Sequence, residues 1–535
     1  MNAAQTADKT KPRVLIADAL SPRALEIFKE RGIAADEAAG LKPDALKAKL
    51  KDYDGLAVRS ATKVTADVFA AAPRLKVVGR AGIGVDNIDV AAATQRGVVV
   101  MNTPFGNSIT TAEHTIALMF ALARQLPAAN ASTHRGKWEK SRFLGVELYG
   151  KALGVIGCGN IGAIVAERAI ALHMRVLAFD PFLSDERALQ LGVEKTSLDE
   201  LLARADFITL HAPLTEQTRG IIGKDALAKT KKGVRIINCA RGGLVIEADL
   251  RAAIESGHVA GAALDVFMEE PAMANVLFGL EQVIATPHLG AATAEAQENV
   301  AVQVAEQMAD FLLTGAVSNA VNMPSVTAEE APRLKPYMKL AEQLGSFAGQ
   351  ISETGPRVVR IEYEGLVAGL NTKPLTAVAL AGLLTPLMDS VNMVNAPVIA
   401  RERKIDVSET RHDRPSDYQT MIRLTVTTER RTRTLAGTLF GGDKPRIVEI
   451  EGIGIEAELA PNMLYCRNED KPGIIGALGK LLGDNGVNIA TFHLGRDRQG
   501  GQAVALLAID QKLSGDLLDC VRELPHVNQV KALRF

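Results

Sequence analysis

Residues 151–180 read KALGVIGCGNIGAIVAERAIALHMRVLAFD. A short apolar run, 152–156, has the length of a buried strand. Gly157, Gly159 and Gly162 follow as G-x-G-x-x-G, and Ile161, Ile164, Val165, Ala169 and Ile170 then recur at helical spacing. A second apolar run, 176–179, ends on Asp180. A glycine-rich turn in this strand–loop–helix–strand setting predicts a dinucleotide site. Gly157 permits the tight turn, Gly159 lets the backbone approach a pyrophosphate, and Gly162 lets the helix pack close to the sheet. The helix start offers its unpaired N–H groups and the positive end of its dipole to the phosphates. Asp180, 18 residues after Gly162, is placed to accept hydrogen bonds from the adenosine ribose. It would also repel a 2′-phosphate, which favours NAD over NADP.

At 535 residues the chain exceeds one ordinary core, and three or four domains are expected. Its 47% hydrophobic content and net charge of −1 describe a globular chain without the basic excess of a nucleic-acid binder. The opening residues, MNAAQTADKTKPR, lack the apolar segment of a secretory signal. No apolar run reaches the ~18 residues that span a bilayer; residues 375–388 come nearest and contain Pro386. Cys158, Cys239, Cys466 and Cys520 form no CxxC pair. Neither a metal site nor a disulfide framework is therefore expected, and a reducing cytoplasm fits. Cys158 and Cys239 read as small packed loop residues rather than nucleophiles.

Upstream of the glycine loop, RVLIAD, GLAVRS, LKVVGR and GVVVMNTP are strand-like runs separated by helical segments, the first opened by Ser21-Pro22 as cap and first-turn proline. Such alternation predicts a parallel α/β unit whose ligands lie beyond the C-terminal strand ends. Arg59, Ser60, Arg80 and the loop from Ala81 to Gly84 fall at those ends. Two arginines beside a glycine-rich turn point to an anionic substrate carrying phosphate. A periodic helix then runs from Ser108 to Leu126 and contains Glu113 and His114, the latter read as a packed or surface residue. The polar, basic segment HRGKWEKSRFLGVELYGK holds the one tryptophan, Trp138. That ring is either an anchor on another surface, such as a partner subunit, or an ordinary loop residue buried at home.

Beyond Asp180 the runs DFITLHAP, VRIINCARGGLV, GAALDVF and QVIATPHLG each end in polar or glycine residues. A long helix over 292–313 is expected to return the chain to the first α/β unit and make that unit discontinuous. Three strand-end residues stand out: Arg241 in NCARGG, Glu270 in DVFMEEP and His288 in ATPHLG. Hydride transfer to a keto acid needs a cation for the carboxylate and a proton donor for the developing alkoxide. Arg241 suits the first role and His288 the second, with Glu270 as the carboxylate that supports the imidazolium. Spacing alone does not show that the three converge.

The motifs VRSATKVT, VVGRAGIGVDNID, MNTPFGNS, GVIGCGNIG, NCARGGLV, GAALDVFMEEP and PHLGA, in this order over residues 13–320, resemble the D-isomer-specific 2-hydroxyacid dehydrogenases, most closely their phosphoglycerate-oxidising branch. The resemblance implies a Rossmann-type doubly wound cofactor domain (106–290) inserted in a flavodoxin-like substrate domain (11–105 and 291–322). It implies oxidation of 3-phospho-D-glycerate by NAD, the first step of L-serine biosynthesis, with Arg241, Glu270 and His288 as catalytic residues. Cofactor contacts would come from Gly157, Gly159, Asn160, Ile161, Gly162 and Asp180 in the opening stretch. Further contacts would come from Ile83, from His211, Ala212 and Pro213, from Cys239, Ala240 and Arg241, and from Asp265, His288 and Gly290. Only the backbone of Ile83 is counted on, because many relatives carry Thr there. Substrate contacts would be Arg59, Ser60, Arg80, Gly82 and Asn107 with Arg241 and His288. Arg135, Lys137 or Lys140 could reach a partner subunit's site in a homodimer or homotetramer.

The C-terminal third resembles an α+β intervening domain (325–458) followed by an ACT domain (461–535), a ferredoxin-like βαββαβ module. In the intervening part IRLTVTTE, RTLAGTLFG and RIVEIEGIGIEAEL read as an antiparallel run with a turn at Gly441-Gly442-Asp443. The basic stretches 401–404 and 411–414 read as a solvated face rather than an anion site. In the ACT part Asp470-Lys471-Pro472-Gly473 fits a strand end followed by a proline-started helix. The resemblance places an L-serine effector at Asn468, Asp470 and Asn488 between paired domains; a purely structural dimerisation module is the competing reading. Two other functions stay open at this point, a glyoxylate or hydroxypyruvate reductase and a non-catalytic NAD-sensing scaffold. The paired arginines weigh against the first, and the joint presence of Arg241, Glu270 and His288 against the second.

Overall fold

The computed structural model describes residues 11–327, 329–388, 391–412 and 417–535; the first ten residues of the polar tail and Arg414 of the second basic stretch lie outside them. Strands β1 (Arg13–Ile16), β2 (Ala34–Glu37), β3 (Gly55–Val58), β4 (Val77–Arg80) and β5 (Val99–Met101) form a parallel sheet in the order β2-β1-β3-β4-β5. This is the flavodoxin order, with its ligand crevice at the C-terminal strand ends. The helix Ala294–Thr314 returns to this sheet, and Val300, Ala301, Val304, Ala305 and Met308 pack into one core with Val14, Ile16, Ala57, Val77 and Met101. The close approach depends on Gly79, where a Cβ would stand 2.3 Å from Met308 Sδ.

The second sheet holds β6 (Ala152–Ile156), β7 (Arg175–Phe179), β8 (Glu194–Lys195), β9 (Phe207–Leu210), β10 (Val234–Asn238), β11 (Val259–Leu264) and β12 (Val283–Ala285) in the order β12-β11-β10-β9-β6-β7-β8. Counted from its own first strand this is the doubly wound dinucleotide order, with the reversal between β6 and β9. β6, β9 and most of β10 are buried on both faces, as continuous apolar runs covered by helices should be.

The third sheet runs β14-β13-β15-β16-β17-β18, from β13 (Pro356–Gly365), β14 (Asp406–His412), β15 (Thr420–Thr428), β16 (Thr432–Phe440), β17 (Lys444–Ile450) and β18 (Ile453–Ala457). The helices Ala331–Ile351 and Lys373–Leu384 contribute to its core. The expected antiparallel run is present from β15 to β18, but β14 escaped the sequence reading and pairs parallel with β13. Its residues DVSETRH lie at the sheet edge and none is buried, so no apolar alternation marks it. The fourth sheet, β20-β21-β19-β22, comprises β19 (Asn462–Glu469), β20 (Ile489–Arg496), β21 (Gln502–Ile509) and β22 (Val527–Arg534) in βαββαβ order.

Three local expectations need correction. The helix after Asp470 starts at Ile474 with Gly473 as its N-cap at φ 98°, so Pro472 precedes the helix instead of opening it. The helix from Ser108 stops at Arg124, because Gln125 turns left-handed (φ 52°) and a second helix, Leu126–His134, follows. Trp138 is 87% exposed, which removes the reading of a ring buried within its own loop.

Candidate active site

The glycine loop is built as its spacing requires. Gly157 adopts φ 91° and a Cβ on it would meet His211 and Ala212 backbone atoms at 2.7–2.8 Å. A Cβ on Gly162 would stand 2.0 Å from Gly157 O, whereas one on Gly159 meets no atom within 4 Å. Gly159 caps the helix Asn160–Ala171, which carries Ile161 and Gly162 in its first turn. The N–H of Cys158 donates to Asp180 Oδ2 at 2.8 Å and that of Phe182 to Oδ1 at 2.8 Å. The carboxylate at the end of β7 thus also tethers the glycine loop. His211, Ala212 and Pro213 continue from β9 alongside this loop. Burial pushes the His211 imidazole down to about 3. The ring is neutral at physiological pH, with Nε2 3.0 Å from Thr209 Oγ1 and Nδ1 unpartnered. These features suit a dinucleotide: an accessible glycine backbone, a helix N-terminus and a carboxylate at the next strand end.

At the end of β10 a residue not singled out from the sequence organises the turn. Asn238 donates from Nδ2 to Arg241 O at 2.9 Å and accepts the Ala240 N–H at 3.0 Å, which closes the loop through Cys239 and Ala240. Gly242 is pressed against the next strand end, where a Cβ would lie 1.8 Å from Phe267 O. Cys239 is buried, and burial pushes its thiol up to about 12, so it is a packed loop residue and not a thiolate. Arg241 reaches back toward the first sheet: Nε donates to Asp86 Oδ2 at 2.9 Å and Nη1 to Ala240 O at 2.7 Å.

His288 and Glu270 do converge. Nδ1 of His288 lies 2.7 Å from Glu270 Oε2, and the Phe267 N–H donates to Oε1 at 3.1 Å. Burial would raise the Glu270 pKa, but the hydrogen bonds from His288 and from the Phe267 backbone outweigh it and hold the carboxyl below its usual range. His288 sits at φ 57° in a turn that Asp265 holds. This fully buried carboxylate accepts the Leu289 N–H at 2.7 Å, the Gly290 N–H at 2.8 Å and the Thr286 hydroxyl at 2.6 Å. His114 belongs to the same network, its Nε2 3.3 Å from Asp265 Oδ1, and Thr111 Oγ1 donates to Gly290 O at 2.9 Å. The sequence reads His114 only as a packed or surface residue, because its partner Asp265 follows a strand distant in the chain.

The basic side of the crevice comes from the first sheet. Arg80, at the end of β4, is pushed down to about 10, by burial first and by the nearby Arg241 charge second. It stays protonated at neutral pH with Nε unpartnered, so an anion beside it would offset both its burial and the Arg241 charge. Gly82 (φ 150°) leaves room for this guanidinium, since a Cβ there would stand 2.3 Å from Arg80 Nη1. The Arg59 N–H donates to buried Asp18 at 2.6 Å and its carbonyl accepts from Asn87 at 2.7 Å; Ser60 beside it is exposed. Ile83 O is taken by Asn102 Nδ2 at 2.6 Å, while Asn107 Oδ1 is buried without a partner.

In the fourth sheet Asn468 is buried and donates to Glu469 O at 2.7 Å, Asp470 pairs with Arg496 at 2.9 Å, and exposed Asn488 donates to Asp510 at 2.6 Å. A cavity of only about 10 Å³ adjoins Asn468, room for about one water. A larger groove of about 680 Å³ lies on the third sheet beside β19, lined by Arg423, Arg431, Arg467, Glu449 and Glu451. There Arg423 pairs with Glu449 and Arg467 with Glu451, so these two arginines are neutralised from within. Residues 401–404 are exposed and Arg411 pairs with Glu409 at 3.2 Å, in keeping with a solvated face. No described helix is long and apolar enough to cross a membrane.

Comparison with known proteins follows the same divisions. Residues 116–290 match the NAD-binding domain of D-isomer-specific 2-hydroxyacid dehydrogenases, 333–451 the D-3-phosphoglycerate dehydrogenase intervening domain, and 462–526 the ACT domain. The D-3-phosphoglycerate dehydrogenase of Bacillus subtilis is 45% identical over 97% of this chain and 99% of its own length. The enzyme of that name from Methanocaldococcus jannaschii is 43% identical over 98% and 100%. Among solved structures, Aquifex aeolicus D-lactate dehydrogenase complexed with NAD and lactic acid is 28% identical, with a TM-score of 0.53 over 58% of this chain and 100% of that one. A glyoxylate reductase from Paecilomyes thermophila is 29% identical, with a TM-score of 0.54 over 58% and 98%.

Proposed function

The chain belongs to the D-3-phosphoglycerate dehydrogenase family, and from that premise we propose how its residues divide the work. The enzyme oxidises 3-phospho-D-glycerate to 3-phosphohydroxypyruvate with NAD, the first step toward L-serine. NAD, when bound, supplies the hydride acceptor. Gly157, Gly159, Asn160 and Ile161 hold the pyrophosphate through backbone N–H groups, and Asp180 the adenosine ribose. Arg241 holds the C1 carboxylate, while Arg59, Arg80, Ser60 and Asn107 receive the phosphate end. His288 takes the C2 hydroxyl proton at Nε2, because its Nδ1 is engaged by Glu270. The Glu270 carboxylate then compensates the imidazolium charge.

The observation that carries this reading is the His288–Glu270 pair together with Arg241 at neighbouring strand ends of the cofactor sheet. The deciding assay is NADH production from 3-phosphoglycerate, glycerate and lactate with a carbonyl trap. The phosphorylated acid should be preferred by orders of magnitude, and equal rates on all three would remove the phosphate assignment.

We assign the L-serine site to Asn468, Asp470 and Asn488, completed by a second ACT domain. Support comes from the small size of the cavity beside Asn468 and from exposed Ile475 and Leu494 nearby, which suit a paired surface. Trp138, open to solvent, suits a subunit contact in a homodimer or homotetramer, with Arg135, Lys137 and Lys140 beside it. Four free cysteines suit a cytoplasmic enzyme. Titrating L-serine into the assay tests the effector role; unchanged rates up to millimolar serine would leave the domain a structural pairing module.

A further inference from the structure

The third sheet's domain reaches into the first sheet at one place. Val394, only 4% exposed, enters the core beneath the first sheet. On either side of it, Asn392 Nδ2 donates to Gly97 O and Asn395 Nδ2 to Gln95 O, both at 3.1 Å. These carbonyls belong to the C-terminal end of the helix Val90–Gln95 and the residues just after it, where helix carbonyls lack partners of their own. The grip is specific, since a Cβ on Gly97 would stand 1.8 Å from Asn392 Nδ2.

The same helix begins at Asp89, whose side chain caps it by accepting the Ala92 N–H at 2.9 Å. The loop just before Asp89 touches two of the three substrate arginines. Asp86 holds Arg241 Nε at 2.9 Å, and Asn87 Nδ2 donates to Arg59 O at 2.7 Å and Thr62 O at 2.6 Å. A helix of six residues spans only about 9 Å, so the contacts at its two ends lie close together.

We infer that the helix Val90–Gln95 is a lever by which the intervening domain positions the substrate arginines, with Asn392 and Asn395 setting one end and Asp86 and Asn87 setting the other. Asp86 is a positioning residue: with Nε held by Asp86 and one Nη1 hydrogen by Ala240 O, the plane of the Arg241 guanidinium is fixed. The lever gives the intervening domain a bearing on substrate affinity without a residue of its own in the crevice. The inference rests on the substrate reading given above, and its test separates the two.

The test is a double-mutant cycle in the full chain, read as KM and kcat for 3-phosphoglycerate, with NADH affinity as the measure of folding. Asn392→Ala should raise KM about five- to tenfold and leave kcat and NADH affinity within twofold, the signature of weakened substrate binding. In an Asp86→Ala background, where the near end is already released, Asn392→Ala should change KM less than twofold. Asp86→Asn, which keeps an acceptor for Nε, should restore most of the loss caused by Asp86→Ala. An unchanged KM in Asn392→Ala, or the same fold-change in both backgrounds, overturns the lever. A parent chain that does not oxidise 3-phosphoglycerate overturns the substrate reading instead.

Discussion

His288 Nδ1 and Glu270 Oε2 stand 2.7 Å apart, and this contact decides which imidazole nitrogen is left for chemistry. Because Glu270 is held below the usual carboxylate range, against its burial, by His288 and the Phe267 N–H, it remains an anion throughout the working pH range. It can therefore stabilise the imidazolium formed when His288 accepts the substrate proton. His288→Ala should lower kcat by about 10²–10⁴ with NADH affinity unchanged. Glu270→Gln should lower kcat less, about tenfold to a hundredfold, again with NADH affinity unchanged. The ion-pair role would not survive a Glu270→Gln variant that turns over at the parent's rate.

The glycines of the cofactor loop separate folding from binding. Gly162→Ala drives a Cβ to 2.0 Å from the Gly157 carbonyl, an overpacking that costs about 1–3 kcal/mol or more. Gly159→Ala meets no protein atom within 4 Å and should fold with parental stability, yet bind NADH at least ~10-fold more weakly because its methyl obstructs backbone approach to the pyrophosphate. Urea midpoints and NADH fluorescence titrations on the two variants make the comparison. Parental NADH affinity in Gly159→Ala would exclude that face of the loop from cofactor contact.

The parts of this design that were legible in the sequence are those encoded locally. β6, Gly157, Gly159, Gly162 and Asp180 lie within one short stretch, and a buried parallel strand writes itself as an apolar run. What stayed hidden depends on partners distant in sequence. His114 carries no local mark of Asp265, which lies 151 residues on. Asn238 has its role only because the turn after β10 folds back on its side chain. The Asn392 grip on Gly97 joins residues 295 apart. Strand β14 was missed for the opposite reason: a polar edge strand has no buried face to pattern.

Asp180 does two things, and substitutions should divide them. Its carboxylate oxygens accept the Cys158 and Phe182 N–H groups while its charge opposes a 2′-phosphate. Asp180→Asn keeps one of the two acceptors and removes the charge, so it should cost about 1 kcal/mol for the N–H left facing its amide and raise kcat/KM with NADP at least ~10-fold relative to NAD. Asp180→Ala should in addition lose about 1–3 kcal/mol, because loop N–H groups go unpaired. An unchanged NAD-to-NADP ratio in Asp180→Asn would count against the ribose assignment.

His211 should make the folded enzyme acid-sensitive before any carboxylate does. Burial places its folded pKa at about 3, down from 6.5, so as pH falls below 6.5 the unfolded chain binds a proton that the folded chain refuses. Stability on this account is complete above that value and declines toward pH 3, by at most about 1.4 kcal/mol per pH unit. His211→Asn removes the titration while offering a polar group to Thr209 Oγ1, the present partner of Nε2. Urea midpoints of the parent and His211→Asn at pH 7.5, 6.5 and 5.5 should therefore differ by an amount that shifts in favour of the variant as pH drops. Carboxylates such as Glu270, whose folded values are depressed, add their own loss only at lower pH, as the pH falls past their unfolded value near 4 toward the folded one. Parallel pH dependences for parent and variant would mean that His211 takes up its proton in the folded state as readily as in the unfolded one.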